Sequence, residues 1–255
     1  MEFAVTSWLV PGGWLDNLRV AADLGWVSGV ELLLFSFEGG DRELFLRELP
    51  EIVRTAAAAG ISLSVHLPDP LLPRHEEIVA AMAGGAECLV VHPPRDAGEA
   101  AAPAGALAGP NVDSWADMMD GWRRAWGDRF LLEYTAAADF VRAEAALPGL
   151  PLCADTGRLL LEGLDPANWI AERAERIREI HLHGTERIAE GNGVADADRV
   201  RDHRPPRGDE AWLSRLAPGL AAFRGRTVLE VFSLGGVEAA RAGVLAALAR
   251  CKEWP

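Results

Sequence analysis

The sequence predicts an α/β fold, a single-domain (β/α)8 TIM barrel, and three observations support this prediction. The chain has 255 residues, about the length that one such barrel needs. Eight short apolar runs recur at near-regular intervals, and runs without polar alternation are typical of strands buried on both faces of a parallel sheet. The stretches between the runs have helical periodicity. We find no linker, so we expect one domain over residues 1–255.

The predicted strands and helices alternate along the whole chain. The eight predicted strands are residues 3–9, 30–35, 62–66, 88–92, 130–134, 152–155, 179–183 and 227–232. Between them, apolar residues recur at helical spacing, as in Leu49, Ile52 and Val53. An open doubly wound sheet would usually carry a glycine-rich nucleotide loop after its first strand, but Gly12 and Gly13 lack the GxGxxG spacing. A closed barrel is therefore the favoured architecture.

Two predicted connections are longer than the usual length of about two to six residues. Residues 93–113 consist mostly of Ala, Gly and Pro, and residues 184–208 carry many charges, including Arg187 and Arg204. Both connections follow strands, so they should lie at the C-terminal mouth of the barrel, where active sites of this fold are built. We expect both to be mobile loops beside the site.

The composition restricts the partners that the protein can have. The chain has 25 basic and 38 acidic residues and a net charge of -13, which should repel duplex DNA and anionic membranes. We therefore expect a small-molecule substrate. Three cysteines without a CxxC pair indicate a reducing compartment. No apolar stretch approaches the roughly 18 residues of a membrane span, and no basic segment precedes the apolar N-terminus, so we expect a cytoplasmic protein.

Imidazoles and carboxylates lie at or near the carboxyl ends of six of the predicted strands. These residues are His66, His92, His183, Glu133, Asp155 and Glu230. Side chains at the carboxyl ends of barrel strands project into the mouth, so we expect the six to converge. Burying an unpaired ionised group costs several kcal/mol. A divalent cation bound among the six side chains is the simplest way to offset that cost. Mixed His, Asp and Glu ligation suits Zn²⁺ best, with Mn²⁺, Fe²⁺ or Co²⁺ as alternatives.

Four further residues are interpreted one at a time. His203, on the charged connection, is either a further metal ligand reaching over the mouth or a solvated loop residue. His181 lies two residues before His183 and should contact a neighbour in a deeper layer of the barrel. His75 lies near a predicted helix start and is expected at the surface. Trp8 ends the first strand, so we expect it to line the mouth and contact the substrate.

Short motifs along nearly the whole chain resemble those of a known family. The motifs GVELLLF, SVHLP, VVHPP, LLEYT, CADTGR, HLHGT, DHRPP and LEVF look like those of the xylose-isomerase-like TIM barrels. That superfamily includes sugar phosphate isomerases and epimerases and the metal-dependent DNA repair enzymes of AP endonuclease family 2. The resemblance implies a metal bound by Glu133, Asp155, His183 and Glu230. In the multinuclear phosphodiester-cleaving branch it adds His66 and His92.

Two positions depart from the family pattern. The family usually has His three residues after the strand-six Asp, whereas this chain has Arg158 three residues after Asp155. A guanidinium there suits a phosphate oxygen, which it can grip bidentately. His203 matches the His of the branch's DxH element only loosely, because here Asp202 is the adjacent residue.

Some motifs resemble a narrower group within the superfamily. The runs TSWLVP, VELLLF, VHLP, HLHG and DHRP are most similar to those of the cobamide-remodelling phosphodiesterases. Those enzymes hydrolyse a phosphoester in the nucleotide loop of corrinoids. This resemblance implies a phosphoester substrate that belongs to a cobamide.

Three function classes follow from these residues. The leading hypothesis is a metal-dependent phosphoester hydrolase with two or more cations on the seven candidate ligands, His203 included. Its catalytic residues would be Glu133, Glu230, Arg158 and His203, and its substrate-binding residues Trp8, Arg158, Arg187 and Arg204. The alternative is a metal-dependent sugar or sugar-phosphate isomerase or epimerase that needs one cation. The third is a binding protein on a barrel scaffold.

Overall fold

Ten strands and nine helices form the described part of the computed structural model, which covers residues 2–35, 37–95, 109–187 and 200–252. The strands are β1 (Phe3–Thr6), β2 (Val27–Leu33), β3 (Ser62–His66), β4 (Ala86–Val91), β5 (Phe130–Glu133), β6 (Leu152–Asp155), β7 (Ile177–Leu182), β8 (Gly184–Arg187), β9 (Val200–Arg204) and β10 (Arg226–Leu229). The helices are α1 (Trp14–Asp23), α2 (Gly39–Ala59), α3 (Glu76–Met82), α4 (Val112–Trp126), α5 (Ala137–Ala146), α6 (Thr156–Leu161), α7 (Pro166–Glu172), α8 (Ala211–Ala222) and α9 (Leu234–Lys252). Helices thus separate the successive strands of the predicted barrel.

Eight of these strands close into a parallel barrel. Their order around the barrel is β1-β10-β7-β6-β5-β4-β3-β2, and β1 pairs with both β10 and β2. The predicted (β/α)8 TIM barrel is therefore confirmed, and all eight predicted strands are present with small shifts at their ends. In the described ranges, no helix is both long enough and apolar enough to span a membrane.

Alternation along the strands sorts the side chains into two layers. In β5 and β6, Phe130, Leu132, Leu152 and Ala154 belong to the main hydrophobic core, on the side that the helices cover. The residues between them point into the barrel, because successive side chains of a strand face opposite sides. There, Leu131 and Cys153 form a small separate apolar cluster with Val90 of β4. The same alternation directs the strand-end imidazoles and carboxylates into the mouth.

Both described ends of the charged connection after β7 are strands, which the sequence does not predict. Its two ends, β8 and β9, pair as an antiparallel ribbon with Gly184 opposite Arg204, although residues 184–208 were expected to be a loop. The strand signal is weak because β9 reads VRDHR, with one apolar residue that is exposed. Residues 188–199 and 96–108 lie outside the described residues, so the mobility of the two connections stays a prediction.

The expectation that His75 lies at the surface is wrong. The residue is 3% exposed and ends a short 3-10 turn, Pro73–His75, before α3. Its Nδ1 accepts a hydrogen bond from the Leu72 backbone at 3.2 Å, and its ring meets the edge of Phe37. Burial and then the charge of Arg74 lower the pKa of His75 to about 4. His75 is thus a neutral core residue that caps a turn.

Candidate metal centre

Glu133, the last residue of β5, faces two of the predicted histidine ligands. His66 Nε2 lies 3.0 Å from Glu133 Oε2, and His92 Nε2 lies 2.8 Å from the same oxygen. The three side chains are close enough to share one metal ion. His66 and Glu133 are buried, whereas the His92 side chain is 21% exposed. This first ligand group is therefore open to the mouth on the His92 side.

A second ligand group forms around His183, directly after β7. His183 Nε2 lies 2.8 Å from Asp155 Oδ1 and 3.3 Å from Glu230 Oε2. Neither His183 Nε2 nor Glu230 Oε2 makes a hydrogen bond of acceptable geometry, although both atoms are buried. Buried polar atoms are rarely left without a partner. Buried nitrogen and oxygen atoms that lie close together without hydrogen bonds are arranged as metal ligands are, around a common point.

The two groups are continuous. Ligand atoms of Glu133, Asp155, His181 and Glu230 all lie within 4.8 Å of one another. Glu133 belongs to the first group, and Asp155 and Glu230 belong to the second. The six residues predicted from strand ends are thus brought together in one mouth.

His181 connects this mouth to a deeper polar layer. Its Nδ1 lies 2.7 Å from Glu133 Oε1, and its Nε2 lies 3.1 Å from Glu31 Oε1 and 3.2 Å from Glu179 Oε1. All four side chains are buried. Glu133 therefore presents Oε2 to His66 and His92, while His181 holds its other oxygen.

Local charges keep Glu133 and Glu230 ionised in spite of burial. Burial alone would raise the pKa of Glu133, but the charges of His181, His92 and His66 outweigh it and hold that pKa well below its usual range. Burial also opposes ionisation of Glu230, yet His181 and then His183 lower its pKa to about 2. Burial opposes charging of His92, but Glu133 and Asp69 raise its pKa to about 10. A metal ion would have to displace protons from such histidines.

His203 reaches the second ligand group from the ribbon. Its backbone adopts a φ of 52°, a left-handed conformation that is uncommon for non-glycine residues and concentrates at functional sites. The ring stacks on His183 with centroids 4.3 Å apart, and its Nδ1 lies 3.6 Å from Glu230 Oε2. The structure thus places His203 beside the predicted ligands rather than out in solvent.

Arg158 lies at the mouth but already has a partner. Its side chain is 40% exposed, and Nη1 lies 3.1 Å from Asp202 Oδ2. Its Nε is 3.9 Å from Asp155 Oδ2, while its backbone N–H donates to Asp155 Oδ1 at 2.9 Å. Asp155 therefore caps the start of α6 with the same oxygen that faces His183.

The remaining substrate-binding candidates lie on the rim or outside the described side chains. Trp8 is 49% exposed, and its ring makes edge contacts with Phe35 and Phe232. Arg204 Nη2 lies 3.2 Å from Glu186 Oε2 across the ribbon. The side chain of Arg187 is outside the described part of the structure. Trp8 thus sits in an aromatic arc beside the ligand groups, since Phe35 contacts His66 and Phe232 contacts His203.

The donor set fits a divalent metal ion. The first group offers two imidazole nitrogens and a carboxylate, and the second offers one imidazole and two carboxylates. Borderline cations such as Zn²⁺ and Mn²⁺ accept this mixture of nitrogen and oxygen donors. The unpaired buried atoms His183 Nε2 and Glu230 Oε2 support the same conclusion. Buried His, Glu and Asp clusters that could bind a metal are therefore present, as predicted.

Comparison with known proteins gives structural neighbours only. No family model and no curated protein matches the chain. A xylose isomerase domain protein from Planctomyces limnophilus superposes with a TM-score of 0.66 at 14% identity, covering 100% of this chain and 98% of the other. A sugar phosphate isomerase/epimerase from Parabacteroides distasonis gives 0.57 at 13% identity, with coverage of 100% and 98%. The TTHB071 protein from Thermus thermophilus, in a crystal soaked with ZnCl2, gives 0.55 at 21% identity, with coverage of 98% of both chains.

At these low sequence identities, the structural similarity shows only that this chain shares the fold of the three proteins. The solved structures that resemble this chain include TIM barrels of the xylose-isomerase-like and sugar phosphate isomerase/epimerase kind, as the sequence motifs predicted.

Several residues of the site escape prediction from the sequence. Glu31 lies inside an apolar run and Glu179 begins one, and both runs continue past these residues toward the mouth, unlike the run that ends near Glu133. Asp69, in the loop after β3, contacts His92, and Asp202, in β9 of the ribbon, contacts His183. No signal in the sequence specifies those two contacts.

Proposed function

We propose that this protein is an enzyme, a metal-dependent phosphoester hydrolase whose active site lies at the C-terminal mouth of the barrel. The observation that supports this most is the contact between two ligand groups, because Glu133 of the first lies within 4.8 Å of Asp155 and Glu230 of the second. Adjacent cation sites suit the in-line displacement of a phosphoester. If the site held a single cation, His66 and His92 would have no role as metal ligands.

Residues of the two groups would hold the cations. His66, His92 and Glu133 would hold one, and Asp155, His183 and Glu230 would hold the other, with His203 as a further ligand beside the second. We expect Zn²⁺, with Mn²⁺, Fe²⁺ or Co²⁺ as alternatives. When bound, such cations supply Lewis acidity that activates water and neutralises phosphate oxygens.

The protein's own side chains bind the phosphate and move protons. Arg158 turns from Asp202 to the phosphoryl oxygens and stabilises the charge that develops on them. Arg204 and Arg187 approach the same anion from the ribbon. His203 carries a proton to the leaving oxygen, and the ionised Glu230, whose Oε2 lies 3.6 Å from His203 Nδ1, stabilises the charged imidazole.

The substrate that we propose first is the phosphoester of a cobamide nucleotide loop. The resemblance of TSWLVP, VELLLF, VHLP, HLHG and DHRP to the cobamide-remodelling phosphodiesterases supports it. The exposed ring of Trp8, packed against Phe35 and Phe232, gives an apolar surface on which the organic part of such a substrate can rest.

Isomerisation or epimerisation of a sugar or sugar phosphate is the second candidate. Two of the similar barrels carry the names sugar phosphate isomerase/epimerase and xylose isomerase domain protein. These neighbours therefore favour an isomerase no less than a hydrolase. In this reaction Glu133 and Glu230 exchange a proton at the substrate carbon. His66 and His92 then bind substrate hydroxyls instead of a cation.

The two candidates are separated by assaying the Zn²⁺-loaded protein on both substrate classes. A phosphodiester such as bis-p-nitrophenyl phosphate and a cobamide are compared with ketose phosphates. Hydrolysis without isomerisation supports the hydrolase, and the reverse result supports the isomerase. Glu133→Gln should lower the rate by about 100-fold or more, beyond the range for residues outside the metal's ligands. The same substitution at Glu77, an exposed partner of Arg42, is the control and should leave the rate unchanged.

A further inference from the structure

A cavity of about 410 Å³ lies at the end of the barrel opposite the mouth. Residues at or next to the amino ends of all eight barrel strands line it, among them Ala4 of β1, Ser28 of β2 and Ser62 of β3. Its volume is within the range of about 300–1,000 Å³ that is usual for small-molecule sites. The cavity is therefore large enough for a ligand and is separate from the candidate metal centre.

Four arginine side chains line this cavity, which we call the arginine cavity: Arg129, Arg178, Arg224 and Arg226. Three carboxylates also line it, those of Glu2, Glu87 and Asp128. Two of the three are already paired, since Glu87 contacts Arg226 and Asp128 contacts Arg123, which lies outside the lining. The lining thus carries an excess of positive charge, although the net charge of the chain is -13.

Three of the four guanidinium groups donate only to backbone carbonyls. Nη1 of Arg129, of Arg178 and of Arg224 each donates to carbonyl oxygens close by. Within the described ranges, none of these three arginines has a carboxylate partner. Because a guanidinium has five N–H groups, each of the three keeps donors that a ligand can use.

Arg226 is the buried member of the four. Its side chain is 9% exposed, and its Nε lies 3.1 Å from Glu179 Oε2 in the barrel interior. Its terminal nitrogens contact Ser62 O and the Glu87 carboxylate, which leaves one further N–H on each of them. Gly29 provides the room for this group, because a Cβ there would lie 2.2 Å from Arg226 Nη1. The guanidinium is thus held in place with donors to spare.

We propose that the arginine cavity binds a phosphate group, either free phosphate or the phosphate of a larger molecule. Paired N–H groups of a guanidinium match the oxygens of a phosphate and bind them bidentately. The excess positive charge of the lining favours a doubly charged phosphate over a singly charged carboxylate. The cavity and the proposed active site lie at opposite ends of the barrel, so this inference does not depend on the proposed function.

Isothermal titration of the purified protein with inorganic phosphate tests the proposal. The double variant Arg178→Ala/Arg224→Ala removes two exposed guanidinium groups, so the fold should be retained. Its phosphate affinity at one class of site should fall by about 10-fold or more. Arg47→Ala is the matched control, because Arg47 is exposed on α2 outside the cavity, and it should bind phosphate like the wild-type protein. Arg226 is left in place, because its loss would remove a partner of the buried Glu179.

Arg158→Ala separates this site from the proposed active site, which also binds phosphate. It should weaken only the class of site that the double variant leaves intact. Wild-type phosphate affinity at every site of the double variant would overturn the proposal, whatever the result for Arg158→Ala. An Arg158→Ala variant that binds phosphate like the wild-type protein would instead count against the proposed function alone.

Two further probes identify the position of the site and its ligand. Crystals soaked in tungstate, an electron-dense analogue of phosphate, should show anomalous density among the four guanidinium groups. Tighter binding of phenylphosphonate than of inorganic phosphate would identify the phosphate of a larger molecule as the ligand, and weaker binding would identify free phosphate. Absence of density at the cavity, or equal affinity there for acetate and phosphate, would overturn the proposal.

Discussion

His181 donates a hydrogen bond from Nδ1 to Glu133 Oε1 across 2.7 Å. The Glu133 carboxylate, which faces His66 and His92, is therefore held in place from the deeper layer of the barrel. The other ring nitrogen of His181 faces Glu31 and Glu179. Carboxylates only accept hydrogen bonds, so both ring nitrogens of His181 act as donors. Burial opposes this charge, but the surrounding acidic groups raise the pKa of His181 well above its usual value. The imidazolium is thus the positive charge around which three buried carboxylates are arranged.

His181→Leu should therefore be strongly destabilising. The substitution leaves Glu31, Glu133 and Glu179 buried without their common partner, and breaking a buried ion pair costs about 3–5 kcal/mol. Urea denaturation would measure the loss in free energy of unfolding. Arg215→Leu, which removes an exposed partner of Asp165, should cost less than about 1 kcal/mol. Similar losses for the two variants would contradict a central role for His181.

Gly157→Ala should damage the second ligand group while the fold is retained. The added Cβ would lie 2.0 Å from His183 Cε1, so the imidazole must move away from Asp155 and Glu230. We expect Zn²⁺ affinity at one class of site to fall by about 10-fold or more, the size of effect seen when a ligand loses its orientation. Isothermal titration with Zn²⁺ measures this.

Gly121→Ala is the matched control, because a Cβ at Gly121 in α4 would meet nothing within 4 Å. It should stabilise the helix by about 0.5–1 kcal/mol and leave Zn²⁺ binding unchanged. Unaltered Zn²⁺ binding in Gly157→Ala would count against His183 as a ligand.

Arg158→Ala should weaken binding of anionic ligands selectively. A charge-assisted hydrogen bond contributes about 1.5–3 kcal/mol, so the affinity for inorganic phosphate should fall by roughly 10- to 100-fold. Affinity for a neutral sugar should not change. Inhibition constants for the two ligands provide the measurement, and Arg215→Ala, which removes an exposed partner of Asp165, is the control. Equal effects on both ligands would reject a phosphate-binding role for Arg158.

His75 should make the stability of the fold depend on pH. Its pKa is lowered from 6.5 to about 4 in the folded protein, so the unfolded chain binds more protons between these values. The stabilising contribution of neutral His75 is therefore fully present above about pH 6.5 and decreases as the pH falls toward 4, by about 3 kcal/mol.

His75→Asn removes the titrating group but keeps an acceptor for the Leu72 N–H. Urea denaturation at pH 7.5 and pH 5 should show a smaller difference for His75→Asn than for the wild-type protein. An identical difference would show that His75 does not control this pH dependence.

The barrel and its strand-end residues could be predicted because they depend on local patterns. Apolar runs locate the strands, and barrel geometry then places His66, Glu133 and Glu230 in one mouth. The deep position of His181 was predicted, but its partners Glu31 and Glu179 could not be, because these contacts depend on the register of strands far apart in sequence, such as Asp155 opposite His181. The same holds for Asp202, whose contact with His183 requires the path of the ribbon.

His75 and the ribbon were mispredicted for different reasons. His75 follows Pro73 and Arg74 in a polar stretch, which is typical of a surface turn, but packing against Phe37 buries its ring. In the ribbon, charged residues on both faces hide the alternation that marks a half-buried strand. Tertiary contacts determine both features, and a single sequence does not reveal them.

The number of metal atoms per chain tests the central claim most directly. Elemental analysis of protein purified without chelators and without a nickel column would measure it, followed by titration with Zn²⁺. The two ligand groups predict two cations per chain, or three if His203 completes a further site. A single cation would favour the isomerase. Protein that contains no metal and binds none on titration would contradict the assignment of this mouth as a metal centre.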